Sequence, residues 1–136
     1  MSKATKIYKS FSHPKTSLRY HIIFSTKYRR KCLSQIRETV LNAFKETEKV
    51  SDFKILTMEL DKDHIHLLLK WKPHFSIEQI VKRLKRMTTK LIWDKEETHL
   101  RQFYWKKKEL WTGGYFCSTV GNVSEQTLKK YIENQV

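Results

Sequence analysis

Two strand-like runs, Phe53–Leu60 and His64–Trp71, are separated only by Asp61-Lys62-Asp63. A three-residue link cannot carry a crossover, so the two runs must pair as an antiparallel hairpin. That pairing decides which side chains share a face. Neighbouring residues on a strand project to opposite sides. His64 and His66 therefore stand on one face of the second run, and Ile65, Leu67 and Leu69 stand on the other. The aliphatic face demands a cover. The histidine face is left open.

The rest of the chain supplies the cover. Leu18, Tyr20, Ile22 and Phe24 alternate with Arg19, His21, Ile23 and Ser25, which predicts a first strand. Ser34 is positioned to cap a helix whose apolar positions are Ile36, Val40, Ala43, Phe44 and Thr47. Ser76 and Gln79 fit a capping box. The helix that follows buries Ile77, Ile80, Val81, Leu84, Met87 and Leu91 and opposes a basic stripe of Arg83, Arg86 and Lys90. Residues 95–110 read as a fraying helix end and a loop. Gly113-Gly114 is a turn before a short strand, Tyr115–Val120. Gly121-Asn122 then breaks the chain, and Ser124 caps a last helix with Leu128, Tyr131 and Ile132 on its apolar side.

The order β-α-β-β-α-β predicts an α+β fold, a ferredoxin-like or RRM-like antiparallel sheet with an extra C-terminal helix that carries Tyr131. The first and third strands should be central, with both helices on one face. We divide the chain into a basic arm at 1–16, a core at 17–120, and a hinge with the C-terminal helix at 121–136.

Charge points to the partner. The 136 residues carry 28 Lys+Arg against 14 Asp+Glu, a net of +14. Residues 1–31 hold nine of the cations and no acid, and residues 70–108 hold twelve cations against four acids. The histidine segment between them is slightly acidic. Two basic blocks around a nearly neutral centre suit a polyanion, nucleic acid before an anionic membrane. No apolar run approaches the ~18 residues of a membrane span, and the first fifteen residues lack an apolar signal core. Cys32 and Cys117 have no partner at metal or redox spacing, so they read as buried free thiols in a reducing cytoplasm.

Two constellations carry chemistry. His64 and His66 lie about 7 Å apart along one strand face, and their rings can converge on a divalent ion. The plainer reading is a pair of half-exposed histidines. Tyr131 and Gln135 are four apart on a helix and share a face. A phenol can act as a nucleophile in phosphoryl transfer, and an amide oxygen can ligate a metal. The plainer reading here is a tyrosine ring packed on the sheet. If the terminal helix crosses the open face, the two constellations meet. Two histidines, a glutamine, a divalent metal and a tyrosine make a phosphodiester transesterification site.

Several ordered blocks carry a resemblance. They are Tyr20-His21-Ile22-Ile23-Phe24-Ser25-Thr26-Lys27-Tyr28-Arg29-Arg30-Lys31, Asp61-Lys62-Asp63-His64-Ile65-His66, Leu110-Trp111-Thr112, Ser118-Thr119-Val120-Gly121 and Lys130-Tyr131-Ile132-Glu133-Asn134-Gln135. Over nearly its whole length the chain resembles the single-tyrosine HUH transposases of the IS200/IS605 class. The resemblance implies a prokaryotic, cytoplasmic enzyme that cuts and rejoins single-stranded DNA at transposon ends marked by subterminal hairpins. It implies Tyr131 as nucleophile, with His64, His66 and Gln135 as ligands of Mg²⁺ or Mn²⁺. It also implies a homodimer in which the tyrosine helix can serve the partner's site, with Gly121 as the hinge. Phe24 departs from the pattern, because many relatives have Trp there.

Phosphate contacts are expected from Lys27, Arg29, Arg30 and Lys31, from Arg83, Arg86 and Lys90, and from Lys130, with Lys106-Lys107-Lys108 extending the surface. Tyr104, Trp105 and Trp111 are candidates to stack on unpaired bases, with core or subunit-interface packing as the alternative and the favoured reading for Trp111, whereas Trp71 and Trp93 read as structural. His13, His74 and His99 read as surface histidines, and His21 as lying near the site. The rival reading is a pure binding module: a catalytically inactive or host-adapted relative that holds hairpin DNA. An RRM would carry aromatics on the central strand where this chain has histidines.

Overall fold

The structure, a computed structural model, describes residues 18–71 and 75–120 together with residue 133. The arm at 1–16, the Gly121 hinge and the terminal helix with Lys130, Tyr131 and Gln135 lie outside the described residues. Among the described residues, four strands and two α-helices follow one another as β1 (Leu18–Ser25), α1 (Arg37–Lys49), β2 (Phe53–Leu60), β3 (His64–Trp71), α2 (Ile77–Arg101) and β4 (Phe116–Thr119). The sheet order is β2-β3-β1-β4 and every pair is antiparallel. This is the expected α+β, ferredoxin-like arrangement, with the first and third strands central.

Both helices pack on the face that carries Ile22, Phe24, Ile65, Leu67 and Leu69, all fully buried with Val40 and Phe44 of α1 and Leu84 of α2. Phe24, Phe44 and Trp111 form an aromatic cluster in that core, with ring centroids 5.8 to 6.3 Å apart. Phe24 is thus fully buried. The indole N–H of Trp111 donates to Thr88 Oγ1 at 3.0 Å.

Ser34 does not cap α1. Residues Ser34–Ile36 form a 3₁₀ turn, and Ile36 precedes the helix without a side-chain cap. The turn lets Cys32, Leu33 and Ile36 all enter the core, and Leu33 N–H anchors it to the β2–β3 link through Lys62 O at 3.0 Å. The capping box of α2 is complete. Ser76 Oγ accepts from Gln79 N–H, and Gln79 Oε1 accepts from Ser76 N–H. This helix runs ten residues beyond Leu91, with one irregular residue at Glu96, because Ile92, Trp93 and Leu100 continue its buried stripe.

β2 contains a bulge. Phe53 and Ile55 oppose Trp71 and Leu69, whereas Met58 and Leu60 oppose Leu67 and Ile65, so the register shifts at Leu56. The extra residue moves the apolar set from odd to even positions and keeps it on the core face. The Gly113-Gly114 turn before β4 is pinned by Lys85, whose ammonium donates to Thr112 O and Gly114 O.

Candidate functional site

The face opposite the helices carries His21, Ile23 and Ser25 from β1 and His64, His66 and Leu68 from β3. The antiparallel register sets Ser25 against His64 and Ile23 against His66. On the far side of β3 the bulge brings Glu59 opposite His66. Without the extra residue at Leu56, Glu59 would point into the core.

His64 is held by its neighbour. Its Nδ1 lies 2.9 Å from Asp63 Oδ1, and Arg29 Nε donates to Asp63 Oδ2 at 2.9 Å. Burial alone would raise the Asp63 pKa, but the hydrogen bonds from Arg29 and His64 outweigh it and hold the carboxyl below its ordinary value. An ionised carboxylate only accepts, so His64 donates through Nδ1, and its neutral form keeps the lone pair on Nε2. A carboxylate that orients a histidine in this way is a recurring support of metal-ligating imidazoles.

His66 is held differently. Its Nε2 lies 2.9 Å from Nδ1 of His21, so one of the two rings donates to the other. Burial first, and then the nearby His21 and His64, push the His66 pKa below its ordinary value, against an opposing pull from Glu59. Its neutral form, the one that ligates metals, is favoured. Ser25 Oγ is fully buried beside His64 and has no hydrogen-bond partner among the described residues. Two imidazoles and an orphaned hydroxyl on one face are donors that a divalent ion can use. Among the described residues no three His, Cys, Asp or Glu side chains are grouped to hold one. A further ligand is therefore needed, and the expected one, Gln135, lies outside them.

The basic residues divide. Arg29 serves Asp63. Lys27 pairs with Glu109, Lys31 is exposed, and the Arg30 guanidinium reaches the rings of both Tyr28 and Trp105. Arg83 is engaged in the helix layer, donating to Ser51 Oγ and Val50 O at 2.7 and 2.6 Å. Lys90 pairs with Asp94 and Arg86 is exposed, both on α2. The stripe Arg83, Arg86, Lys90 thus lies on the side of the sheet away from the histidines. One stacking candidate, Tyr104, is corrected, and Trp111 follows its core-packing reading. Tyr104 and Trp111 are buried at 3% and 8% exposure, while Trp105 stays 62% exposed. His99 is not a plain surface residue either, because its Nε2 lies 2.9 Å from Cys32 O.

Comparison with known proteins decides the family. The family model described as "Transposase IS200 like" matches residues 14–135. The chain belongs to the IS200-like transposase family. This IS200-like transposase is 30% identical over 129 residues to the transposase for insertion sequence element IS200 of Salmonella typhimurium, covering 94% of this chain and 83% of that one. It is 29% identical over 119 residues to the ISDra2 transposase TnpA of Deinococcus radiodurans, covering 87% and 84%. A solved structure of a Deinococcus radiodurans protein assigned as a transposase superposes with a TM-score of 0.78 at 28% identity, covering 88% of this chain and 91% of that one. A REP-associated tyrosine transposase bound to a REP hairpin shares the fold at a TM-score of 0.55 and 12% identity, covering 85% and 61%. No helix among the described residues is long and apolar enough to cross a membrane.

Proposed function

We propose that this transposase cuts and rejoins single-stranded DNA through a covalent 5′-phosphotyrosine, at ends marked by hairpins. Tyr131 Oη attacks the scissile phosphorus. The bond from phosphorus to the 3′ oxygen breaks, a bond from phosphorus to the tyrosine oxygen forms, and the 3′ oxygen leaves as a hydroxyl after taking up a proton. Attack by a 3′-hydroxyl on the phosphotyrosine reverses the exchange, and no external energy source is required. The metal, Mg²⁺ or Mn²⁺, is assigned to His64, His66 and Gln135; when bound it offsets charge on the phosphate oxygens. Asp63 fixes the His64 tautomer, and His21 holds the His66 ring. The chain acts as a homodimer, because a single candidate tyrosine per subunit cannot hold two DNA ends at once.

The observation that supports this reading is the pair of histidines on one sheet face, with Nδ1 of His64 committed to Asp63. The hairpin bound by the REP-associated fold neighbour agrees with the proposed substrate. The test mixes the protein with a hairpin-bearing single-stranded oligonucleotide and Mg²⁺ or Mn²⁺ and resolves the products on a denaturing gel. The wild type forms a DNA–protein adduct, and Tyr131→Phe forms none. His64→Ala and His66→Ala lose cleavage but keep hairpin binding. An adduct that survives Tyr131→Phe overturns the nucleophile assignment.

A further inference from the structure

The two basic blocks of the sequence meet in space. Lys27 N–H donates to Leu110 O at 2.7 Å, Tyr104 Oη donates to Lys27 O at 2.7 Å, and the Lys27 ammonium pairs with Glu109. The shared surface carries Tyr28 and Trp105, which at 60% and 62% are the most exposed large aromatics among the described residues. The Arg30 guanidinium lies 5.5 Å from one ring centroid and 5.4 Å from the other. Lys31, Lys106, Lys107 and Lys108 are exposed around them. The surface adjoins the histidines through Arg29, which holds Asp63 and thereby His64.

Packing does not explain this display. Tyr28 and Arg29 take φ of 61° and 52°, left-handed values that side chains of this kind rarely adopt. The turn is fixed from both sides, with Arg29 N–H on Thr26 O at 3.0 Å and Thr26 Oγ1 on Arg30 O at 2.7 Å. The result is a tyrosine ring held in solvent rather than in the core. Exposed aromatic faces among fixed cations match what a strand with unpaired bases offers, namely free base faces and phosphates. A duplex hides its base faces.

We propose that Tyr28 and Trp105, with Arg30 reaching both rings, form a stacking site for unpaired bases of the DNA strand that runs past His64. The proposal rests on the reading of the chain as a single-strand transposase and adds to it where the strand is held.

The protein contains its own probe. Of its four tryptophans, Trp71, Trp93 and Trp111 are at most 8% exposed and Trp105 is 62% exposed. Oligothymidylate should quench Trp105 fluorescence saturably at low salt, and a duplex with the same number of phosphates should not. Trp105→Phe should lose the signal and keep the affinity. Tyr28→Ala and Trp105→Ala should each weaken oligothymidylate binding about tenfold, with the salt dependence unchanged because no charge is removed. Tyr28→Phe should bind like wild type, which guards against a folding defect. Absent quenching, equal losses for single-stranded and duplex DNA, or shielding of Trp105 by self-association overturns the proposal. Adduct formation on the same preparations separates the two readings. An adduct without quenching removes only the stacking site, and quenching without an adduct removes only the tyrosine chemistry.

Discussion

Nδ1 of His21 lies 2.9 Å from Nε2 of His66, across β1 and β3. The contact joins a candidate metal ligand to a histidine two residues from its register partner, Ile23. Burial, His21 and His64 all disfavour the protonated form of His66. Replacing His21 with Ala removes one of these neighbours and admits water, and both changes act in the same direction. The His66 titration followed by NMR should therefore move up toward the ordinary histidine value, near 6.5. Because the folded His66 pKa is depressed, it costs stability as pH falls below the unfolded value, where only the unfolded chain takes up the proton. His21→Ala should soften that loss. An unmoved or lowered His66 titration would show that the contact does not control its protonation.

Asp63 carries a different pH signature. Its folded pKa is depressed by Arg29 and His64 against the effect of burial. Its stabilisation is present above the unfolded carboxyl value and is lost as pH falls through the folded one. Asp63→Asn should flatten the acid limb of the stability curve below about pH 4. The amide no longer forces the proton onto His64 Nδ1, so Mn²⁺ affinity measured by calorimetry should fall roughly ten- to a hundredfold. An unchanged affinity would mean that Asp63 only braces the loop.

The hairpin, the sheet order and the histidine face were all legible, because period-two alternation and a three-residue link leave little freedom. The bulge in β2 breaks that alternation but leaves a trace in the sequence: Phe53 and Ile55 are odd and Met58 and Leu60 are even. That parity switch is the signal for an inserted residue, and it places Glu59 beside His66. The role of Arg29 was hidden for another reason. It depends on a contact with Asp63, 34 residues away, made only once the loop after β1 folds onto the β2–β3 link. The burial of Tyr104 is not legible, because an aromatic beside a basic run looks the same in sequence whether it faces bases or the protein interior.

The thiols should be silent. Burial pushes Cys32 up to about 11 and Cys117 up to about 12, and the thiolate is the reactive form. A chromogenic disulfide reagent at pH 8 should modify neither in the folded protein and both in denaturant. Rapid modification of Cys117 in the folded state would show that the β4 edge opens locally.

The bond from Trp111 Nε1 to Thr88 Oγ1, 3.0 Å long and buried, tests whether Trp111 is a core residue. Thr88→Val keeps the shape and strands the indole N–H, which costs about 1–3 kcal/mol. The urea midpoint should fall accordingly, while oligothymidylate binding stays unchanged. Trp111→Phe in the Thr88→Val background removes the stranded donor. It adds only a packing loss, so the two changes together should cost less than their sum. Additive costs would mean that the bond contributes nothing. A loss of DNA binding in Thr88→Val at full stability would return Trp111 to the DNA surface.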